Sequence, residues 1–320
     1  MCTDCGCGLP GENPPTFSNP KHPHDHPHSH DEDHVHAHPH SHGDGHVHSH
    51  PHSHDEGHIH DHHHPHSHEA DQIHDHSHAD PQTPAPAPGL PQDDPRRTLN
   101  VRRAILEKND RLAERNRGFF LGRGLLALNV LSAPGSGKTT FLRETLRALP
   151  PPLRAGVIVG DLATDNDAQR LRDTGAPVVQ ITTGTVCHLE AEMVARALGQ
   201  LDLSGLNVLI IENVGNLVCP ASYDLGEHLR VVLLSVTEGE DKPLKYPPMF
   251  QAADVVILSK SDLAEVCGCD RAAVRQNLRQ IAPNATVFEL SARTGAGMPD
   301  WINFLVQKHR VMTDSAPKHP

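Results

Sequence analysis

The chain has 320 residues, with 28 Lys or Arg against 40 Asp or Glu and only 3% aromatic side chains. Almost all of the charge imbalance lies in residues 1–95, where Lys21 is the one basic side chain facing sixteen carboxylates. A near-neutral remainder without a dominant basic run excludes a nucleic-acid binder, and no window approaches the roughly eighteen apolar residues of a membrane-spanning helix.

In chain order, the opening "MCTDCGCG" places Cys2, Cys5 and Cys7 within six residues. It has neither the basic region nor the apolar run of a secretory leader. Seven cysteines, an odd number, favour metal binding or free thiols in a cytoplasmic setting over a disulfide framework. Three thiolates on a Gly-containing backbone can wrap one ion, and after loss of Met1 the amine of Cys2 completes a planar set suited to Ni²⁺. Residues 9–80 are dominated by Pro, His, Asp, Ser and Gly, and 25 of the 29 histidines fall between His22 and His78. This composition buries too little apolar surface to offset chain entropy, so disorder is expected. Its His-x-His density suits weak, interchangeable storage of metal ions. Residues 81–95 read as a Pro-rich linker.

Residues 96–312 have the physics of a folded domain. "TLNVRRAILEKNDRLAERN" carries apolar residues at helical spacing and predicts a leading helix. Seven short apolar runs follow: "LLALNVL", "AGVIVG", "PVVQI", "NVLIIE", "RVVLLSV", "DVVILS" and "ATVFEL". They resemble buried parallel strands, and most are separated by helix-length segments. The expected fold is a doubly wound α/β domain with a mostly parallel sheet, followed by a frayed tail at 313–320.

"LNVLSAPGSGKTTFL" sets a Gly-rich turn between a strand and a helix. Backbone N–H groups of Gly135, Ser136, Gly137 and Thr140, with the helix N-terminus, form a phosphate cradle. Lys138 is placed to reach the terminal phosphates, and Thr139 to bind Mg²⁺. The usual first Gly of this motif is Ser132. Asp161, at the end of the next run, is a candidate for holding Mg²⁺ or aligning water, with Asp165 and Asp167 just beyond. Glu212 ends another apolar strand, followed by Gly215. Lys138, Asp161 and Glu212 are therefore the candidate catalytic residues. Farther on, "VVILSKSD" offers Lys260 and Asp262, whose carboxylate matches the two ring-edge donors of guanine. Ser291 and Ala292 offer backbone toward the guanine oxygen. Together these motifs favour GTP over ATP.

Cys187 and His188 follow the run "PVVQI" at a loop-to-helix junction, and Cys219 lies just past Glu212. Loops at the C-terminal edge of such a sheet converge. Two thiolates and an imidazole suit Zn²⁺ or Ni²⁺, leaving the shell to be closed by water or a second subunit. Cys267 and Cys269 have no histidine nearby in sequence and read as loop thiols.

The motifs "SAPGSGKTT", "GDLATDNDAQR", "TVCHLEAE", "ENVGNLVCP", "TEGEDKPLKYP" and "SKSDL" resemble those of the hydrogenase nickel-incorporation GTPases, the HypB family. The resemblance covers residues 96–312 and the first eight, and Ser132 is usual in that family. It implies a P-loop GTPase fold of the SIMIBI class and slow GTP hydrolysis. It also implies a nickel motif at Cys2, Cys5 and Cys7, and a metal site of Cys187, His188 and Cys219 at a homodimer interface. Implied partners are the hydrogenase large subunit and a zinc-containing, HypA-like delivery protein, with neither nucleic acid nor membrane. Lys242 or Lys245 is implied at the nucleotide or subunit interface, a solvated loop being the alternative. Competing expectations are a urease-type nickel GTPase, which carries Cys-Pro-His in its metal loop, and a plain nickel store.

Overall fold

The computed structural model describes residues 16–18, 36–41, 47–52, 95–162 and 164–315 of the chain. The expected nickel motif at Cys2, Cys5 and Cys7, most of the histidine tract, the expected linker up to residue 94 and residues 316–320 lie outside them. Two units are distinguished: residues 22–92, and residues 1–21 with 93–320.

The second of these contains a sheet of eight strands. In chain order it comprises β1 (Thr16–Ser18), β4 (Leu126–Ser132), β5 (Ala155–Asp161), β6 (Val178–Thr182), β7 (Val208–Glu212), β8 (Leu229–Ser235), β9 (Val255–Ser259) and β10 (Thr286–Glu289). In the 22–92 unit, β2 (His36–Ser41) and β3 (Val47–His52) pair antiparallel, with His36, His38 and His40 opposite His52, His50 and His48. The sheet order is β1-β6-β5-β7-β4-β8-β9-β10, parallel except for β1. All seven expected strands are present within a residue or two of their apolar runs.

Each central strand is apolar on both faces because helices cover both. On one face Leu126, Leu128 and Val130 of β4 join Val208 and Ile210 of β7 beneath α2 (Lys138–Ala148), α3 (Asn166–Arg172) and α8 (Met298–Ser315). On the other face, Ala127 of β4 with Leu209 and Ile211 of β7 packs under α1 (Pro95–Arg123) and α4 (Ala191–Leu198). Farther along that face, β8 and β9 are covered by α6 (Pro247–Gln251) and α7 (Arg271–Ile281). A short helix α5 (Lys242–Lys245) precedes α6. At the start of α7, the Asp270 carboxylate accepts the Ala272 and Ala273 N–H groups at 2.9 and 3.1 Å, the expected role of an N-cap.

Three features differ from the sequence expectation. The leading helix extends past Asn116 to Arg123, because Phe120 continues its buried stripe beneath the sheet. Helix α8 runs to Ser315, beyond the expected start of the tail. Residues 1–95, expected to contribute nothing to a core, supply β1, which pairs antiparallel with β6 through Thr16, Phe17 and Ser18. Phe17 packs against the core cluster beside β6. An edge strand requires only backbone bonds and one apolar anchor, so a composition too poor to fold alone can still extend a sheet that exists.

His228 stands where β8 begins. Its backbone N–H donates to the Ala127 carbonyl (2.8 Å) and its ring Nδ1 accepts the Ala127 N–H (3.1 Å), so the neutral ring completes the pairing of β8 with β4. Burial, reinforced by the Arg117 charge, holds its pKa below the usual histidine value. The unfolded chain therefore takes up this proton before the folded one does. The stabilisation is present above about pH 6.5 and lost as pH falls below it. Melting temperature should fall between about pH 7.5 and 5.5 by less in His228→Asn than in the unaltered chain. Equal falls would show that the ring does not titrate with folding.

Candidate functional site

The C-terminal ends of β4, β5, β6, β7 and β9 lie along one edge of the sheet, and their loops build two adjoining sites. Between β4 and α2 the chain turns through Gly137, at φ 92°, a left-handed conformation only Gly adopts without strain. The turn aims the free N–H groups of the first turn of α2 at a cleft of about 410 Å³, which Asp161, Asp167, Arg170 and Glu212 also line. Gly215 passes so close to Pro134 that a Cβ there would sit 3.3 Å away, bringing the loop after β7 against the phosphate turn.

Glu212 is the electrostatic centre of this cleft. It is 1% exposed, and burial raises its carboxyl pKa against the opposing pull of Lys138 and Thr139. Oε1 accepts the Thr139 hydroxyl at 2.8 Å and pairs with Lys138 Nζ at 3.3 Å, whereas Oε2 has no hydrogen-bond partner. A buried carboxylate with a spare oxygen beside a Thr hydroxyl fits a site for Mg²⁺, whose charge favours the ionised form. Asp161 faces the same cleft and its Oδ1 accepts the Thr164 N–H at 3.1 Å. Asp165 differs from expectation: its carboxylate is engaged by both terminal nitrogens of Arg172, at 2.7 and 3.3 Å, and so pairs with the last residue of α3. Arg170, not singled out by sequence, lines the cleft.

A second hollow, of about 190 Å³, adjoins the phosphate turn and is lined by Thr140, Phe141, Lys260, Asp262, Ser291 and Ala292 among others. Lys260 has φ 56°, unusual for a residue with a side chain, and its Nζ donates to the Gly135 carbonyl at 2.7 Å. Its stem thus runs across the phosphate turn, forming one wall of the hollow. Ser291's N–H is committed to the Ala296 carbonyl at 2.9 Å. Of the expected pair, Ala292 is left to offer its backbone to a base oxygen.

The metal candidates converge. The Sγ atoms of Cys187 and Cys219 and a ring nitrogen of His188 lie within 4.8 Å of one another, the one such cluster among the described residues. His188 is buried, neither ring nitrogen has a hydrogen-bond partner, and its ring stacks on Tyr223 with centroids 4.0 Å apart. An imidazole with an unpartnered nitrogen beside two sulfurs fits a soft or borderline divalent ion. Glu190 Oε1 stands 3.8 Å from His188 Nε2. Cys267 and Cys269 take no part: the Cys267 thiol contacts the Val236 carbonyl at 3.4 Å, and Cys269 is half-buried, its thiol pKa raised by that burial. Lys242 and Lys245, at the two ends of α5, pair with Glu238 and Asp241 at 3.5 and 2.7 Å.

A buried polar link that sequence reading missed joins the two sites. Asn213, next to Glu212, accepts the Leu189 N–H at 3.1 Å and its own chain's Val214 N–H at 2.9 Å. Its Nδ2 donates to Asn129 (3.2 Å), which donates to Glu227 (3.1 Å). Leu189 follows His188 and packs over Gly160, where a Cβ would come within 2.8 Å of it. Nothing in the local pattern announces Asn213, because its partners other than Val214 are 24 and 84 residues away.

Known proteins resemble the folded domain of this chain. The sequence profile of the family described as "CobW/HypB/UreG, nucleotide-binding domain" matches residues 126–289. Hydrogenase maturation factor HypB of Escherichia coli K12 is 51% identical over 219 residues, covering 68% of this chain and 74% of that protein. Hydrogenase/urease maturation factor HypB of Helicobacter pylori is 45% identical over 219 residues, covering 67% and 90%. Among solved structures, HypB from H. pylori in complex with nickel superposes with a TM-score of 0.62 at 44% identity, over 67% of this chain and 99% of that one. The hydrogenase maturation factor HypB from Archaeoglobus fulgidus gives 0.60 at 39% identity, over 63% and 99%. With the phosphate turn, the acidic strand ends and the Cys-His-Cys cluster all in place, the chain belongs to the HypB hydrogenase maturation factors of the CobW/HypB/UreG nucleotide-binding family.

Proposed function

We propose that this protein is a GTP-hydrolysing nickel chaperone, which takes up Ni²⁺ and delivers it to the hydrogenase large subunit during maturation. The observation that carries this reading is adjacency: the Cys187, His188 and Cys219 cluster is joined to the nucleotide cleft by the short run from Glu212 to Cys219. Lys138 neutralises terminal phosphate oxygens, and the backbone of Gly135 to Thr140 holds them. Thr139 and Asp161 would hold Mg²⁺, which when bound neutralises developing phosphate charge. Asp262 selects guanine, and Lys260 keeps the base hollow aligned with the phosphate turn. Glu212 exchanges its present partners for nucleotide-bound ones, and that shift travels along the backbone to Cys219. Slow hydrolysis then resets the loops by an ordering transition.

Zn²⁺ is a second occupant of the same donor set. A homodimer closing on the cluster would supply the missing ligands, and a HypA-like accessory protein is a fitting donor or acceptor of the cargo. Cys2, Cys5 and Cys7 are proposed as the high-affinity nickel motif, and the histidine tract as a weak store, in the cytoplasm. No described helix is long and apolar enough to cross a membrane. A urease-type GTPase is not favoured, since the relatives are HypB proteins and Cys187 and His188 are adjacent without the intervening proline. A plain nickel store would not need the nucleotide cleft.

Two outcomes follow. Lys138→Ala should abolish GTP turnover and hydrogenase maturation while leaving nickel uptake intact; maturation at the normal level would mean that storage alone is the function. Asp262→Asn should lower the preference for GTP over ATP by about tenfold or more, since guanine loses a paired acceptor at roughly 1–3 kcal/mol. Competition binding measures it, and an unchanged ratio would remove Asp262 from base recognition.

A further inference from the structure

Helix α1 binds the chain segments that flank the metal cluster without contributing a ligand to it. Asn109 and Asn116 lie two turns apart on one face of this helix and are 5% and 3% exposed. Asn109 Oδ1 accepts the Ala191 N–H at 2.9 Å, and its Nδ2 donates to the Asp224 carbonyl at 2.7 Å. Asn116 Nδ2 donates to the carbonyls of Ala191 and Leu225, at 2.9 and 3.0 Å. Two carboxamides therefore grip the same two segments of chain.

Those two segments carry the metal donors. Ala191 opens α4 three residues after His188, and Asp224 follows Tyr223, the residue stacked on the His188 ring, with Cys219 shortly before. Helix α4 has no cap of its own: the Glu190 side chain makes no capping bond, and the orphan N–H of Ala191 is satisfied by Asn109 from another helix. Arg117 holds the same loop, donating to the Glu227 carbonyl at 2.7 Å and to the Asp224 carboxylate at 2.5 Å. Gly226, at φ 89°, passes against the backbone of α1 at Ala113 and Arg117 with no room for a side chain.

A buried asparagine in mid-helix costs stability unless every polar group is used, and an apolar residue would pack as well. What the amide adds is a fixed distance between two backbones. Thiolate and imidazole ligands bind tightly only when their separations match the ion within a few tenths of an ångström, so the backbones beneath them must be held.

We propose that Asn109 and Asn116 are positioning residues of the metal centre, setting the separation between the Cys187–His188 loop and the Cys219 segment, with α1 as its support outside the sheet. This rests on the reading of Cys187, His188 and Cys219 as a nickel-binding set. It makes any load on α1 a load on metal affinity.

The test uses the full chain carrying Cys2→Ser, Cys5→Ser and Cys7→Ser, titrated with Ni²⁺ alone. Thiolate-to-nickel charge-transfer absorption reports sulfur ligation and is blind to the histidine tract. Asn109→Leu and Asn116→Leu should each weaken nickel binding by about 10–100-fold and shift the band, with GDP affinity held within about twofold. Asn109→Asp keeps the acceptor for Ala191 and loses the donor to Asp224. It should fall between Asn109→Leu and the parent, and it carries the test if a leucine variant fails to fold. Melting temperatures that drop while nickel affinity and the band stay at parent values in Asn109→Leu, or in Asn109→Asp where the former does not fold, would overturn the proposal and leave a purely structural clamp. A parent band absent or indifferent to Cys187→Ser would overturn the metal-set reading, and the positioning role with it.

Discussion

The structure turns on one carboxylate that has been taken out of water. Glu212 ends β7 in the middle of the sheet, and its charge is tolerable only with positive or donor groups close by. Lys138 and Thr139, the first two residues of α2, supply them. The same two residues are the ones a nucleotide and its cation need. Whatever enters the cleft must therefore renegotiate the contacts of Glu212. Because Glu212 is a strand end, its position is also that of the backbone leading to Cys219.

Strand order determines how widely that renegotiation spreads. β5 and β4 flank β7, so Asp161, Glu212 and the phosphate turn are neighbours by registry, and β6 brings the Cys187–His188 loop to the far side of β5. A polar network in the dry interior ties these ends together. Asn213 holds the N–H of Leu189, Asn129 holds Asn213, and Glu227 accepts from Asn129, Arg230 and the Leu225 N–H. Such a network specifies one arrangement, since slipping any member would strand a buried polar group.

The two supports of the metal cluster differ in kind. Toward the nucleotide cleft, the support is the end of β7 and the loop that follows it. Toward solvent, it is α1, a helix of 29 residues whose buried face carries Asn109, Ala113, Asn116 and Phe120. Tyr223 adds a flat wall to His188 that constrains the imidazole plane while leaving both nitrogens open.

Much of this was legible in the linear chain. Apolar runs of strand length and a Gly-rich turn before a helix are local patterns. Local patterns survive translation into structure because the backbone and its nearest neighbours enforce them. The grouping of Cys187, His188 and Cys219 was also within reach, since parallel strands put their following loops on one edge. Tertiary structure alone decided the rest: that Asp165 spends its charge on Arg172, that Thr16–Ser18 joins the sheet, and that Asn109, Asn116 and Asn213 brace the cluster. Each depends on partners that are distant in sequence or lie across the sheet, and an asparagine reads alike whether it faces water or caps a distant helix. The chain's order determined which chemical groups lie at the edge; packing decided which of them remain free to act.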